Sequence, residues 1–246
     1  MKYQINANYL QNKDFILDID TAFAQSDLVL QDARNKIKKV LGDDLDLVVK
    51  SFKVPNYLNS ILYTFLRQSK ACRSFEYSLK IADYVPQGIA YIEYFDKGLL
   101  AKSYFISEAF NYDFTIREPL LDKHFVNKQA VYKAFALFSY RLHEDGIVHK
   151  DYSPGNILIK KIAGEYVVKI IDINRMAFHS LSLKQRMHNF SKLWASDDDL
   201  AMIVTEYAKL TDFDSAECQR LAKHYNQQNK RFKNFKKRLK GLPVND

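Results

Sequence analysis

Gly146-Ile147-Val148-His149-Lys150-Asp151-Tyr152-Ser153-Pro154-Gly155-Asn156-Ile157-Leu158-Ile159, and then Val167-Val168-Lys169-Ile170-Ile171-Asp172, is the stretch from which the fold can be read. A short apolar strand runs into an acid-bearing turn, an amide follows five residues after that acid, and a second acid closes a hairpin strand sixteen residues after the amide. A Ser-Pro-Gly-Asn turn alone is ordinary turn chemistry, and an Asp after an apolar strand is an ordinary strand end. In this order, at this spacing and between apolar strands, the three polar residues form a unit.

Phosphoryl transfer accounts for these residue types, because it needs positioning and charge neutralisation more than covalent help. Asp151 suits the group that orients an acceptor hydroxyl and takes its proton. Asp172 suits a Mg²⁺ ligand, since that ion prefers hard oxygen donors. Asn156 adds a neutral oxygen ligand and a hydrogen bond that holds the loop, and His149 reads as a buttress of the loop. The ion implied is Mg²⁺, held on phosphates.

Upstream, Val131, Phe135, Phe138 and Leu142 recur at helical spacing and predict a helix over Asn127–Glu144, closed by Asp145-Gly146. Downstream, a turn at Ala163-Gly164 joins strands Ile157–Lys160 and Tyr166–Ile171, and everything after Ser182 reads as helix. The first 52 residues read as short strands in a meandering antiparallel sheet: Tyr3–Ile5, Phe15–Ile19, Asp27–Leu30, Asn35–Val40 and Leu45–Phe52. A mixed basic segment, Pro55 to Arg73, leads into a helix over Ala71–Asp83 with Phe75, Leu79 and Ala82 on one face. Strands over Pro86–Phe95 and Ala101–Ala109 follow. The expectation is an α+β, two-lobed layout with an N-lobe of residues 1–108 and a mainly helical C-lobe of residues 109–246.

Hydrophobic residues make up 47% and charged residues 27% of the 246, which excludes a disordered chain. The two cysteines, Cys72 and Cys218, form neither a disulfide framework nor a metal-type pair, so a reducing cytoplasm is expected. His124, His143, His179, His188 and His224 show no metal-type spacing. No secretory signal or membrane span is evident. Net charge is +8, and nine Lys or Arg against one acid fall between Gln219 and Asp246. A second basic stretch carries Lys50, Lys53, Arg67, Lys70 and Arg73 with no intervening acid. Both fit a solvated face or an anionic partner: acidic lipid headgroups or nucleic acid for the tail, lipid A phosphates or an anionic inner leaflet for the second stretch. Trp194 reads as core packing, and Arg141 and Arg186 as internal ion-pair partners.

His149-Lys150-Asp151-Tyr152-Ser153-Pro154-Gly155-Asn156 resembles the catalytic loop of protein-kinase-like enzymes, and Asp172-Ile173-Asn174 stands where those enzymes carry Asp-Phe-Gly. More narrowly, His149–Ile159 with Ile171–Met176 is similar to the bacterial lipopolysaccharide kinases, over roughly residues 45–195. The resemblance implies a protein-kinase-like fold and transfer of the ATP γ-phosphate to a Kdo or core sugar of lipopolysaccharide or a Kdo–lipid A precursor. It also implies work at the inner face of the cytoplasmic membrane, with an anionic membrane surface and no nucleic acid as partner. By the same resemblance Lys50 is the lysine for the α and β phosphates, Lys53 its rival, Glu76 its helix partner, and Ser107-Glu108-Ala109 the backbone beside adenine.

The chain departs from the kinase pattern in four respects. No Gly-x-Gly-x-x-Gly loop exists, the first glycine being Gly42, so the turn Asp32-Ala33-Arg34-Asn35 is the expected phosphate cover. A Walker A sequence is also missing, which argues against the P-loop class of ATPases. After Asp172 the chain lacks an Ala-Pro-Glu signal, and Lys150 and Asn174 replace the usual Arg and Gly; these weaken a protein-kinase assignment more than a kinase-fold one, and the alternative is an atypical protein kinase or another small-molecule kinase of the same fold.

Overall fold

The computed structural model describes residues 1–33, 35–42, 44–52 and 56–243. The chain divides into two units, Met1–Asn111 and Tyr112–Asp246. Lys53 and Arg34, expected near the phosphates, lie outside the described residues, as does Pro55.

The first unit begins with β1 (Lys2–Ile5), α1 (Lys13–Leu17), α2 (Ile19–Gln25), β2 (Val29–Asp32), β3 (Lys36–Val40) and β4 (Leu47–Phe52). It continues with α3 (Tyr57–Phe65), α4 (Lys70–Lys80), β5 (Gly88–Asp96) and β6 (Leu99–Glu108). The six strands form one antiparallel sheet in the order β1-β5-β6-β4-β3-β2. It is not a simple meander, because β1 sits at the far edge against β5.

The expected strand Phe15–Ile19 is helix instead. Ile16, Ile19 and Phe23 are all buried, and a strand would send Ile16 and Ile19 to opposite faces. Burial is worth about 1.5–3 kcal/mol per such side chain, so the three- and four-residue spacing decides for helix. These residues pack with Val49, Ile92, Tyr104 and Ile106 on one face of the sheet. Lys38 closes this layer from β3, its Nζ donating to the carbonyls of Phe23 (2.8 Å) and Ser26 (2.6 Å) at the end of α2.

The other sheet face receives α4, whose Ser69 cap accepts from Cys72 N–H at 3.0 Å. Its buried side is Ala71, Cys72, Phe75 and Ser78, whereas Leu79, expected inside, is 40% exposed. Gly88 permits the close approach: a Cβ there would lie 1.8 Å from Ser78 Oγ. The segment after Pro55, read only as basic, contains α3, capped by Asn56.

The second unit comprises β7 (Phe114–Thr115), α5 (Arg117–Leu121), α6 (Lys128–Glu144), β8 (Ile147–His149), β9 (Ile157–Ile162), β10 (Glu165–Ile170) and β11 (Met176–Phe178). Then come α7 (Leu183–Phe190), α8 (Asp197–Ala208) and α9 (Ser215–Leu239). Val131, Phe135 and Leu142 of α6 are fully buried, as their spacing predicts. Gly146 follows at φ 68°, where a Cβ would also meet His179 O at 3.0 Å; both facts favour glycine. The β9–β10 hairpin turns on Ala163 and Gly164, both at positive φ, while β8 pairs with β11 and β9 with β7. Among the described residues no helix is long and apolar enough to cross a membrane.

Candidate active site

The loop between β8 and β9 is held from both ends by His149. Its ring is fully buried, and Nδ1 accepts the Asp151 N–H at 3.0 Å. The ring proton therefore sits on Nε2, which donates to the Ile171 carbonyl at 2.9 Å. One imidazole thus ties the backbone of Asp151 to that of the residue before Asp172. Burial holds the His149 pKa below its ordinary value, against the opposing pull of the Ile171 carbonyl and the charges of Asp172 and Asp151. The ring is neutral at pH 7, and this hydrogen-bond pattern requires it to be.

Asn156 completes the loop. Its Nδ2 donates to the Asp151 carbonyl at 2.9 Å, and its own carbonyl accepts the Ile171 N–H at 3.0 Å. With Nδ2 so used, Oδ1 is the amide atom left to serve as a ligand. Asp172 follows at φ 58°, in the left-handed region that Asp tolerates better than most residues, and its Oδ1 accepts from Asn174 Nδ2. The Asp151 side chain is exposed and that of Asp172 is half-buried. Asp151, Asn156 and Asp172 are thus joined by short backbone links into one constellation.

Behind the loop runs a relay of hydrogen bonds that the sequence did not suggest. Arg186 Nη1 donates to Tyr207 Oη (3.2 Å), and Tyr207 O–H to His143 Nδ1 (3.0 Å). His143 Nε2–H then donates to Asn189 Oδ1 (3.2 Å), and Asn189 Nδ2 to the His149 carbonyl (2.9 Å). Arg186 also pairs with Glu144, as its reading as an internal ion-pair partner anticipated. His143 lies 46 residues from Asn189 and 64 from Tyr207, so no local pattern marks the relay.

Further residues surround the loop. The Lys192 ammonium is disfavoured by burial and by Lys233 and is favoured by the charge of Asp151. The chain then turns at Trp194, which takes φ 58° and lies half-buried with the Lys233 ammonium 5.1 Å from its ring centre. On the other side Arg117 lies over the loop, since a Cβ on Gly155 would come within 2.6 Å of its guanidinium.

In the first unit, Lys50 sits on β4 and is 9% exposed, its Nζ 5.4 Å from the Phe52 ring centre. Cross-strand register puts it on one face with Phe105 and Tyr91, the face against which α4 packs. Glu76 is on that helix but exposed, its Oε1 accepting from Gln68 Nε2 at 2.8 Å. Glu93, two residues along β5 from Tyr91, is the buried acid on the face of Lys50, at 5% exposure. Burial, with the charges of Glu76 and Glu93, pushes the nearby Cys72 thiol up to about 11. Glu108 ends β6 with its carboxylate accepting from Tyr9 O–H at 2.6 Å. The N–H groups of Glu108 and Ala109 donate to the carbonyls of Gln87 (2.9 Å) and Asp46 (3.0 Å).

Comparison with known proteins identifies the fold first. A solved structure described as WaaP in complex with acyl carrier protein aligns with a TM-score of 0.59 over 94% of this chain and 99% of that one, at 13% identity. The architecture is a kinase-like α+β fold. The profile of the lipopolysaccharide kinase (Kdo/WaaP) family matches residues 84–225, more than half of the chain, so the protein belongs to that family and is a kinase. No curated protein matches the sequence.

Proposed function

We propose that the chain transfers the γ-phosphoryl group of ATP to a sugar hydroxyl in the Kdo or core region of lipopolysaccharide, at the inner face of the cytoplasmic membrane. The supporting observation is the His149-locked loop, in which Asp151, Asn156 and Asp172 share one backbone scaffold. Asp151, exposed at the loop's tip, orients the acceptor hydroxyl and receives its proton as the oxygen bonds to phosphorus.

Asn156 Oδ1 and the Asp172 carboxylate are the residues to hold Mg²⁺. Among the described residues no group of three or more His, Cys, Asp or Glu side chains forms a metal cage. Two protein oxygens suit an ion whose remaining ligands are water and phosphate. Bound there, Mg²⁺ would neutralise charge on the phosphates. Asp172 is held for this by its bond to Asn174, and Asn156 by its bond to the Asp151 carbonyl.

Lys50 contacts the α and β phosphates, with Glu76 on α4 and the buried Glu93 as the acids able to orient it. The Glu108 and Ala109 N–H groups already have carbonyl partners, so carbonyls of that segment fall to the purine edge. Lys192, within the field of Asp151, offers positive charge to an anionic sugar acceptor. The basic segments meet acidic lipid headgroups.

The test is transfer of labelled γ-phosphate from Mg·ATP to a Kdo–lipid A acceptor by the purified protein, beside a tube without acceptor. Label on the glycolipid supports the proposal. Label on protein alone would instead indicate a protein kinase of the same fold, and no transfer to the glycolipid would contradict the acceptor assignment.

A further inference from the structure

The last third of α9 carries a surface the reaction does not use. Its first half is anchored, with Cys218, Leu221, Ala222 and Asn226 buried. Beyond it, Lys230 Nζ donates to the Ala195 carbonyl at 2.8 Å, and the Lys233 and Lys237 ammoniums lie 5.1 and 6.0 Å from the Trp194 ring centre. Those contacts fix which side of the helix faces the protein. On the opposite side Phe232, Phe235 and Leu239 follow at three- and four-residue spacing, which stacks them in one stripe. They are 56%, 59% and 71% exposed, and Leu242, just past the helix end, is 52% exposed.

Exposed aromatics in a row are unusual on a protein that stays in water. The stripe is also flanked by charge of one sign. Arg231 and Arg238 lie along one side of it and Lys236 along the other, its ammonium 4.2 Å from the Phe232 ring centre. Between Cys218 and Asn245 the sequence contains no acid. An apolar stripe between basic flanks matches a bilayer surface, where aromatics enter the acyl boundary and long cations reach back to phosphates. A nucleic acid would use the charge and leave the stripe in water, and a second basic copy would oppose it.

We infer that the Phe232–Phe235–Leu239 face of α9 docks the protein on an anionic phospholipid surface, with the apolar side chains inserted and Arg231, Lys236 and Arg238 on the headgroup phosphates. The inference rests on the proposal that the acceptor is a membrane glycolipid, but its test involves no phosphoryl transfer, so either can fail alone.

The experiment is co-sedimentation of the full chain with vesicles of phosphatidylcholine, alone or mixed with phosphatidylglycerol. The wild type is expected to bind only the anionic vesicles. Phe232→Ser/Phe235→Ser should weaken binding by on the order of tenfold per aromatic, with unchanged melting and unchanged nucleotide binding. Arg231→Gln/Lys236→Gln/Arg238→Gln should also weaken it and flatten its salt dependence. Undiminished binding by the double Phe variant would overturn the inference, since the contact would then be electrostatic alone. Equal binding to phosphatidylcholine, or a wild-type dimer that the Phe substitutions dissociate, would overturn it as well.

Discussion

Acid should destabilise this protein through a histidine that never touches substrate. His143 is 1% exposed, and burial pushes its pKa down from 6.5 to about 4, aided by the Arg186 charge and opposed by Asn189 and Glu144. The folded pKa lies below the unfolded one, so between the two the unfolded chain binds the proton and the folded chain does not. The associated stability is fully present above pH 6.5 and is lost as pH falls toward about 4. At about 1.4 kcal/mol per pH unit, that interval corresponds to about 3 kcal/mol. Against a typical domain stability of about 5–15 kcal/mol this is a large fraction. Protonation would also remove the Nδ1 lone pair that accepts from Tyr207, breaking the relay to the His149 carbonyl. Urea unfolding across the pH range, wild type beside His143→Gln, measures the effect. The Gln amide can accept from Tyr207 and donate to Asn189 but does not titrate. The variant should lose less stability than wild type below about pH 6.5, by up to about 3 kcal/mol. His149 and His188, whose pKa values burial also lowers, steepen both profiles alike. Parallel profiles for the two proteins would refute the reasoning.

Asp172→Asn should lower kcat by at least about 10²-fold while leaving thermal stability nearly unchanged, because Asn also tolerates the left-handed backbone; steady-state kinetics with a melting curve checks both. Glu93→Gln should reduce kcat/KM for ATP by about tenfold, and Glu76→Gln by less, since a buried acid orients Lys50 in lower dielectric than an exposed one. A larger effect of Glu76→Gln would shift the role to the α4 acid. Lys192→Met should raise KM for an anionic acceptor about fivefold and leave KM for ATP unchanged, which separate titrations of the two substrates resolve.

The candidate site was legible where it is local. Asp151, Asn156 and Asp172 could be chosen because one loop and one hairpin hold all three, with spacing set by strand lengths. The α6 face and the Gly146 cap were readable for the same reason: a single helical period and one positive φ specify them. The first fifty residues were harder. Ile16, Ile19 and Phe23 carry the helical spacing, yet the segment is short and bounded by turn residues like a strand, and only the sheet it covers selects helix. Leu79 misled because its period fits the buried face of α4, whereas Gly88 draws Ser78 toward the sheet and turns Leu79 outward. The relay through Tyr207, His143 and Asn189 was invisible, since its members lie 46 and 64 residues apart. Glu93 was hidden by its position in an alternating strand, where register and not residue type decides that an acid is inside.

As proposed, Asp151 takes the acceptor's proton while other residues hold the nucleotide. Single-turnover transfer of labelled γ-phosphate to a Kdo–lipid A acceptor by Asp151→Ala, with ATP affinity determined on the same sample, separates these two roles. Transfer should be lost with ATP affinity retained; transfer at the wild-type rate would show that Asp151 is not the proton acceptor.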